Sequence, residues 1–352
     1  MSLRQRLSRL CTFDLVLILL IAVFASATAS GQGGVTSAAT SDACADLPHA
    51  DHPRAFLSNG KLDAVLFLPD PVNGYYRSSR FDWAGVIGCV SLKGHRYFGE
   101  WFPHYDPLLN DSITGPAEEF RTANSELGYD DSAVGGIFLK IGVGVLRRTS
   151  TAPYSFGTAY PIVDTGTRSS LRSKRSMKFT QLITTDFGYS YRYEKTVKLD
   201  KHGAVLTLEH TLTNLGSKAI ITDVYDHDFF MLDNQPTGAG MTVTLGFPVT
   251  PDKAFSKAAT VSGKSITFNT TPERGDSPQG YLTGYTGKRG EYRIALEDKA
   301  TRLGIEQTSQ SPLAKFYFWS TPKTICPEAY IHINVAPGKT QTWQIRYSFK
   351  AD

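Results

Sequence analysis

The chain has 352 residues, 41% of them hydrophobic and 20% charged, with a formal net charge of +4. That length allows one large domain or two smaller ones, and the apolar content is that of a globular protein with ample core material. A charge this close to neutral calls for neither nucleic acid nor an anionic surface as a partner, and 17 Tyr, 20 Phe and 31 Gly favour strands and turns over helices.

Arg4, Arg6 and Arg9 precede an apolar run from Leu15 to Ala25, and Ala27, Thr28 and Ala29 supply a small-residue cleavage site. This pattern predicts a signal peptide over residues 1–29. Its apolar run is too short for a comfortable membrane span, so the expectation is an exported protein, periplasmic or secreted, with no stable membrane insertion after cleavage. Losing residues 1–29 removes three arginines and Asp14 and lowers the net charge to about +2. Cys11 leaves with that segment, and Cys44, Cys89 and Cys326 remain. Three thiols form at most one bridge, whose pairing the sequence leaves open, and their spacing fits no zinc site. Residues 30–54, rich in Gly, Ser, Ala and Asp, read as a flexible leader that carries His49, Asp51 and His52. Residues 55–352 read as one domain.

Residues 61–70 have a short strand pattern ended by Pro69 and Pro71. Residues 74–101 read as two or three strands turning at Lys93 and Gly94, with Arg77, Arg80, His95 and Arg96 set among aromatics. Aromatic faces beside charged groups suit a sugar, and a strand with a polar solvent face accounts for the pattern equally well. Residues 102–136 form a long loop-rich stretch holding Glu118, Glu119, Arg121, Asp130 and Asp131. Loops this long are usually functional. Its carboxylates could serve as acid and base, whereas calcium-loop spacing is absent; Glu119, beside Phe120, is the expected site-facing member. Residues 137–148 read as a nearly all-apolar strand whose Lys140 needs an anion or hydroxyl to meet. The five basic residues of 168–178 lack interleaved aromatics and read as a solvated turn. Residues 179–186 and 189–200 form a hairpin around Phe187 and Gly188.

Residues 204–225 contain two alternating runs joined at Asn214 to Lys218, read as a further hairpin. A period of two sets Leu206, Leu208 and Leu212 on one face of the first run, where His210 reads as a core histidine. It sets Asp223, Tyr225 and His227 on one face of the second. Short runs from 241 to 320 continue with Gly, Pro and Asn turns, and a last pair of strands turns at Pro337 and Gly338, directly after Glu328. Strands at such close spacing, with almost no helix, predict a large antiparallel β-sandwich.

A histidine ending one strand, His227, and a glutamate just before the final strand pair, Glu328, together resemble the aldose 1-epimerase (galactose mutarotase-like) superfamily, over roughly residues 60–350. The resemblance implies the supersandwich form of the all-β fold and a sugar or oligosaccharide as partner; no cofactor and no metal ligand set is expected, and the acidic loop 102–136 leaves a metal there open. It implies Glu328 as catalytic base, His227 as catalytic acid and Lys140 as a sugar-binding residue; Arg80, His95, Glu119 and Asp226 are the other expected sugar-binding residues. Asp226 and Asp228, flanking His227, are expected to keep it protonated. Galactose mutarotases usually add a histidine in an Asn-His context; here His95 and His104 stand in other contexts, which counts against galactose or glucose as substrate. A non-catalytic sugar-binding protein of the same fold is the alternative. So is an exported polysaccharide lyase or hydrolase, with Tyr225 as a lyase's base and Lys140 neutralising a uronate. Serine-hydrolase, P-loop and dinucleotide fingerprints are absent.

Overall fold

The computed structural model describes residues 42–122 and 125–352. Residues 1–29, where a signal peptide is expected, and residues 30–41 of the expected leader lie outside the described residues. A one-turn helix, α1 (Asp42–Ala45), precedes β1 (Arg54–Ser58), β2 (Leu62–Phe67), β3 (Val86–Leu92) and β4 (His95–Arg96), which pair in that order as a four-stranded sheet. Next come β5 (Ala117–Arg121) and a small meander of β6 (Ile137–Lys140), β7 (Gly144–Arg147) and β8 (Ile162–Asp164). The middle of the chain holds β9 (Thr167–Arg172), β10 (Ser176–Ile183), β11 (Tyr191–Leu199), β12 (Val205–Asn214) and β13 (Ile220–His227). After a 3-10 turn at Leu232–Asn234 follow β14 (Met241–Leu245), β15 (Thr250–Pro251), β16 (Ala259–Ser262), β17 (Ser265–Phe268) and β18 (Gln279–Thr283). The last strands are β19 (Arg293–Asp298), β20 (Leu303–Thr308), β21 (Lys315–Ser320), β22 (Ile325–Val335) and β23 (Thr340–Ala351).

The fold is the large antiparallel β-sandwich that the alternation predicts. One sheet has ten strands in the order β16-β17-β14-β19-β20-β23-β12-β11-β10-β9; the other has six, β15-β18-β21-β22-β13-β5. Alternation drives the burial: on β23, Trp343, Ile345, Tyr347 and Phe349 turn inward while Gln344, Arg346 and Lys350 face solvent. Leu206, Leu208 and Leu212 of β12 meet Val224, Ile331 and Ile333 of the other sheet in one core. β22 departs from the pattern. Ile325 to Ile331 are buried on both faces, and alternation resumes only at His332. A strand covered on both sides has something other than solvent against its outer face, and here that is the candidate site.

The two runs at 204–225 do not pair with each other. β12 lies between β11 and β23, whereas β13 lies between β22 and β5 in the opposite sheet. β22 and β23 are divided between the sheets in the same way. Both connections are arches that carry the chain across the core. Alternation reports only that each strand has an inward face, and a hairpin and an arch share that property. Asn214, fully buried, joins the two arches. Its Nδ2 donates to the Lys218 and Val335 carbonyls at 2.9 and 2.7 Å, and its Oδ1 accepts from Gly216 N–H at 2.9 Å. Its own N–H donates to the Lys339 carbonyl, and its carbonyl accepts from Gly338.

Three further expectations change. Residues 137–148 form two strands, because Gly142, at φ +82°, reverses the chain between β6 and β7. Residues 168–172 belong to β9, an exposed edge strand hydrogen-bonded to β10. The second half of the expected leader is packed down: Cys44 is disulfide-bonded to Cys89 of β3, and Leu47 is buried. His49 stacks on Tyr105 at 3.9 Å, and His52 Nδ1 lies 2.7 Å from the Asn73 carbonyl. Cys326 is a buried free thiol.

Candidate functional site

The outer face of the six-stranded sheet is the floor of a cleft of about 490 Å³. Its strand register sets the chemistry in rows. β13 and β22 pair Ile220 with Val335 and Val224 with Ile331, and the bridge from Phe230 to Ile325 keeps the same register. That register sets His227 opposite Glu328, Tyr225 opposite Tyr330 and Asp223 opposite His332, all on one face. β21 extends the first row, Glu328 facing Tyr317, and β18 extends it again, Tyr317 facing Tyr281. On the other side β5 sets Glu119 beside Tyr225 and Arg121 beside Asp223.

His227 Nε2 stands 3.5 Å from Glu328 Oε1, and Tyr330 OH donates to Glu328 Oε2 at 2.9 Å. The imidazole stacks on Phe229 at 3.9 Å and Phe229 on Trp101 at 5.0 Å, while Trp319 meets His227 edge-on at 5.4 Å. His227 Nδ1 has no hydrogen-bond partner among the described residues. Burial, followed by the nearby Arg80 guanidinium, holds the His227 pKa well below the usual imidazole range. Burial also pushes Glu328 up to about 7, against the lowering effects of Tyr330 and Arg80. Buried on both sides, the pair prefers to be uncharged.

Beneath this row lies a compensated ionic layer. Glu119 Oε2 accepts from Arg80 Nε at 2.9 Å and from Tyr225 OH at 2.5 Å, and Arg80 Nη1 donates to Asp111 at 2.6 Å. Lys140 Nζ donates to Glu126 at 2.8 Å and to the Phe120 carbonyl at 2.5 Å, and lies 3.5 Å from Glu119. Burial alone would raise the Glu119 pKa, but Arg80 and Lys140 hold it down at about 2. Arg80 is thereby fixed at the cleft wall. Glu119 and Lys140 are fully buried behind that wall and serve to hold it rather than to face a ligand.

Two predicted site residues lie elsewhere. His95 sits on β4 of the four-stranded sheet, where its Nδ1 is 2.7 Å from Asp233 Oδ2, outside the cleft lining. Asp226 is adjacent to His227 in sequence, so the period of two turns it to the opposite, inner face. There Tyr347 OH lies within hydrogen-bond reach of both Asp226 and Asp228. Neither carboxylate can keep His227 protonated, and the expected imidazolium is replaced by a neutral ring. The long loop also proves to contain a strand: Glu118 and Glu119 are buried on β5, with Glu118 paired to Lys195 and His210.

Sequence reasoning missed the aromatic lining, namely Trp101, Phe156, Tyr281, Tyr317, Trp319 and Tyr330, and the cleft-facing role of Arg121. The alternation of β21 was the available signal, since it places Lys315, Tyr317 and Trp319 on one face. Two other clefts, of about 290 and 800 Å³, contain no facing imidazole and carboxylate with displaced pKa values. The chemistry therefore points to the His227–Glu328 cleft.

The sandwich has the galactose mutarotase-like fold that the contexts of His227 and Glu328 led us to expect. Neither a protein-family model nor a curated protein matches the sequence. Solved structures do. A galactose mutarotase related enzyme from Lactobacillus acidophilus matches with a TM-score of 0.54 at 11% identity, covering 85% of this chain and 97% of that one. A galactose mutarotase-like protein from Clostridium acetobutylicum gives 0.53 at 11%, covering 84% and 95%. A protein of Synechocystis sp. PCC 6803 gives 0.53 at 14%, covering 86% and 96%.

Proposed function

We propose that this is an exported carbohydrate-active protein, an aldose 1-epimerase-like isomerase acting at the anomeric centre of a sugar. The His227–Glu328 pair in its aromatic-walled cleft carries this reading. Opening a pyranose requires one group to take the proton of the anomeric hydroxyl while another protonates the ring oxygen. Those two oxygens share one carbon, so an acid and a base side by side on neighbouring strands can reach both. Only one proton on the pair is needed. With Glu328 protonated and His227 neutral, His227 accepts from the hydroxyl and Glu328 donates to the ring oxygen. When the ring closes on the other face of the aldehyde, the imidazolium returns its proton to the carbonyl oxygen and the carboxylate takes one back from the hydroxyl that re-forms the ring. Glu328 and His227 thus exchange acid and base roles within each turnover, in place of the fixed assignment of base and acid.

Export is supported by the signal-like pattern of residues 1–29 and by the Cys44–Cys89 disulfide, a bond at home in oxidising compartments. A binding-only protein is the second reading, favoured by the stacking surfaces of Trp101, Trp319 and Tyr317. The lyase assignment loses support, because Tyr225 and Lys140 are fully buried behind the cleft and engaged with Glu119 and Glu126. Proton NMR of anomeric signals from freshly dissolved α-sugars tests the proposal. Accelerated approach to anomeric equilibrium is expected. Line broadening without acceleration would leave binding alone.

A further inference from the structure

Arg121 ends β5 on the face that carries Glu119, and its guanidinium lies 4.4 Å over the Phe156 ring. The Arg80 guanidinium lies 4.6 Å from the same ring, so one aromatic carries two cations. The two cations are not equivalent. Arg80 is neutralised by Glu119 and Asp111. Arg121 has no carboxylate or carbonyl acceptor among the described residues, although it is half-buried and lines the cleft. Asp223, its neighbour across the ladder, is engaged by His332 at 2.9 Å and approached by Lys315 at 3.9 Å. The carboxylate that acts on Arg121 most strongly, Glu119, is already ion-paired with Arg80 and Lys140, so this partly desolvated guanidinium keeps its donors free for an anion the fold does not supply.

Its position says what part of a ligand it would meet. β5 sets Ala117 opposite His227 and Arg121 opposite Asp223, so the two rows are separated by about 13 Å along the strand. The long arginine side chain spans part of that distance, leaving room for a sugar ring between the guanidinium and the His227–Glu328 pair. Lys253, exposed at the rim, adds a third cation to the cleft lining.

We propose that Arg121, braced by Phe156, is an oxyanion subsite, and that the sugar presented to His227 and Glu328 carries an anionic group remote from its anomeric carbon. A uronate carboxylate and a phosphate ester share the required chemistry, since both accept two parallel N–H donors from a guanidinium. The substrate part of this inference rests on the epimerase reading; the subsite itself does not.

Calorimetry or NMR titration with glucose, glucuronate and glucose 6-phosphate, and with the galactose series, tests it. The purified protein is expected to bind at least one anionic sugar about tenfold or more tighter than its neutral parent, and the two anionic arms identify the group. Arg121→Gln should collapse that ratio, and Arg121→Lys should restore part of it. Equal affinity for neutral and anionic sugars, no binding of either anionic sugar, or a ratio that survives Arg121→Gln would overturn the subsite. If the ratio behaves as expected but no sugar is anomerised, the epimerase reading fails and the subsite stands. If neutral sugars are anomerised and the ratio is one, the subsite alone fails.

Discussion

His227 and Glu328 derive their properties from the same cause, burial against an aromatic wall, which disfavours the charge on each. Because His227 cannot hold a proton near neutrality, the single proton the pair needs sits on Glu328 and leaves as pH rises through about 7. The anomerisation rate should therefore fall about tenfold per pH unit above that point, read from NMR rates between pH 6 and 9. A rate that keeps rising to pH 9 would remove the one-proton scheme. Glu328→Gln and His227→Asn should each slow anomerisation by about 10²–10⁴-fold while leaving the circular dichroism spectrum unchanged. The sequence singled out both residues through contexts that resemble one family, His227 as the last residue of β13 and Glu328 near the start of β22. Asp226 was misread because adjacency in sequence was taken for adjacency in space, and along a strand the next residue is the one that cannot share the face.

At the scale of elements, strand positions were legible from alternation, and strand partners were not. β10 and β11 pair as the sequence reading has it, through the turn at Phe187 and Gly188. The connectors after β12 and β22 look equally turn-like, yet each crosses between sheets. The row that sets His227 opposite Glu328 exists because the arch after β12 delivers β13 to the six-stranded sheet, beside β22, which already pairs with β21. No local pattern encodes that, since β13 and β22 are brought together by packing. Asn214 is where the arches meet, with three side-chain hydrogen bonds in a fully buried setting. Asn214→Ala would strand the Val335 and Lys218 carbonyls and should cost about 1–3 kcal/mol or more, measured by urea denaturation. An unchanged midpoint would show that the arches hold without their link.

Among the described residues, the whole molecule depends on one disulfide and on charges enclosed between its sheets. The Cys44–Cys89 bridge, with a sequence separation of 45, should contribute about 2–4 kcal/mol, so reduction should lower the melting temperature while Cys326 stays buried. The enclosed charges fix the pH response. Glu118 and Glu119 are held at about 2 by Lys195 and by Arg80 despite their burial, so the stability they confer is present above the ordinary glutamate range and lost as pH falls towards 2. Asp226 and Asp228 behave in the opposite sense. Burial, then Glu118, pushes Asp226 up to about 8; burial, then Asp226, raises Asp228. The Tyr347 hydroxyl has one proton for two carboxyls and already accepts from Gln307 Nε2 at 2.8 Å, so at least one aspartate must carry a proton. A raised folded-state pKa gives stability that is complete below the ordinary aspartate range and lost as pH rises through about 8. The melting temperature should therefore be highest at weakly acidic pH and decline towards pH 8. Asp226→Asn, which keeps an acceptor for Tyr347 but cannot ionise, should flatten the alkaline limb in calorimetric melts between pH 5 and 9. If the decline persists unchanged in that variant, the ionisation of this pair is not its origin.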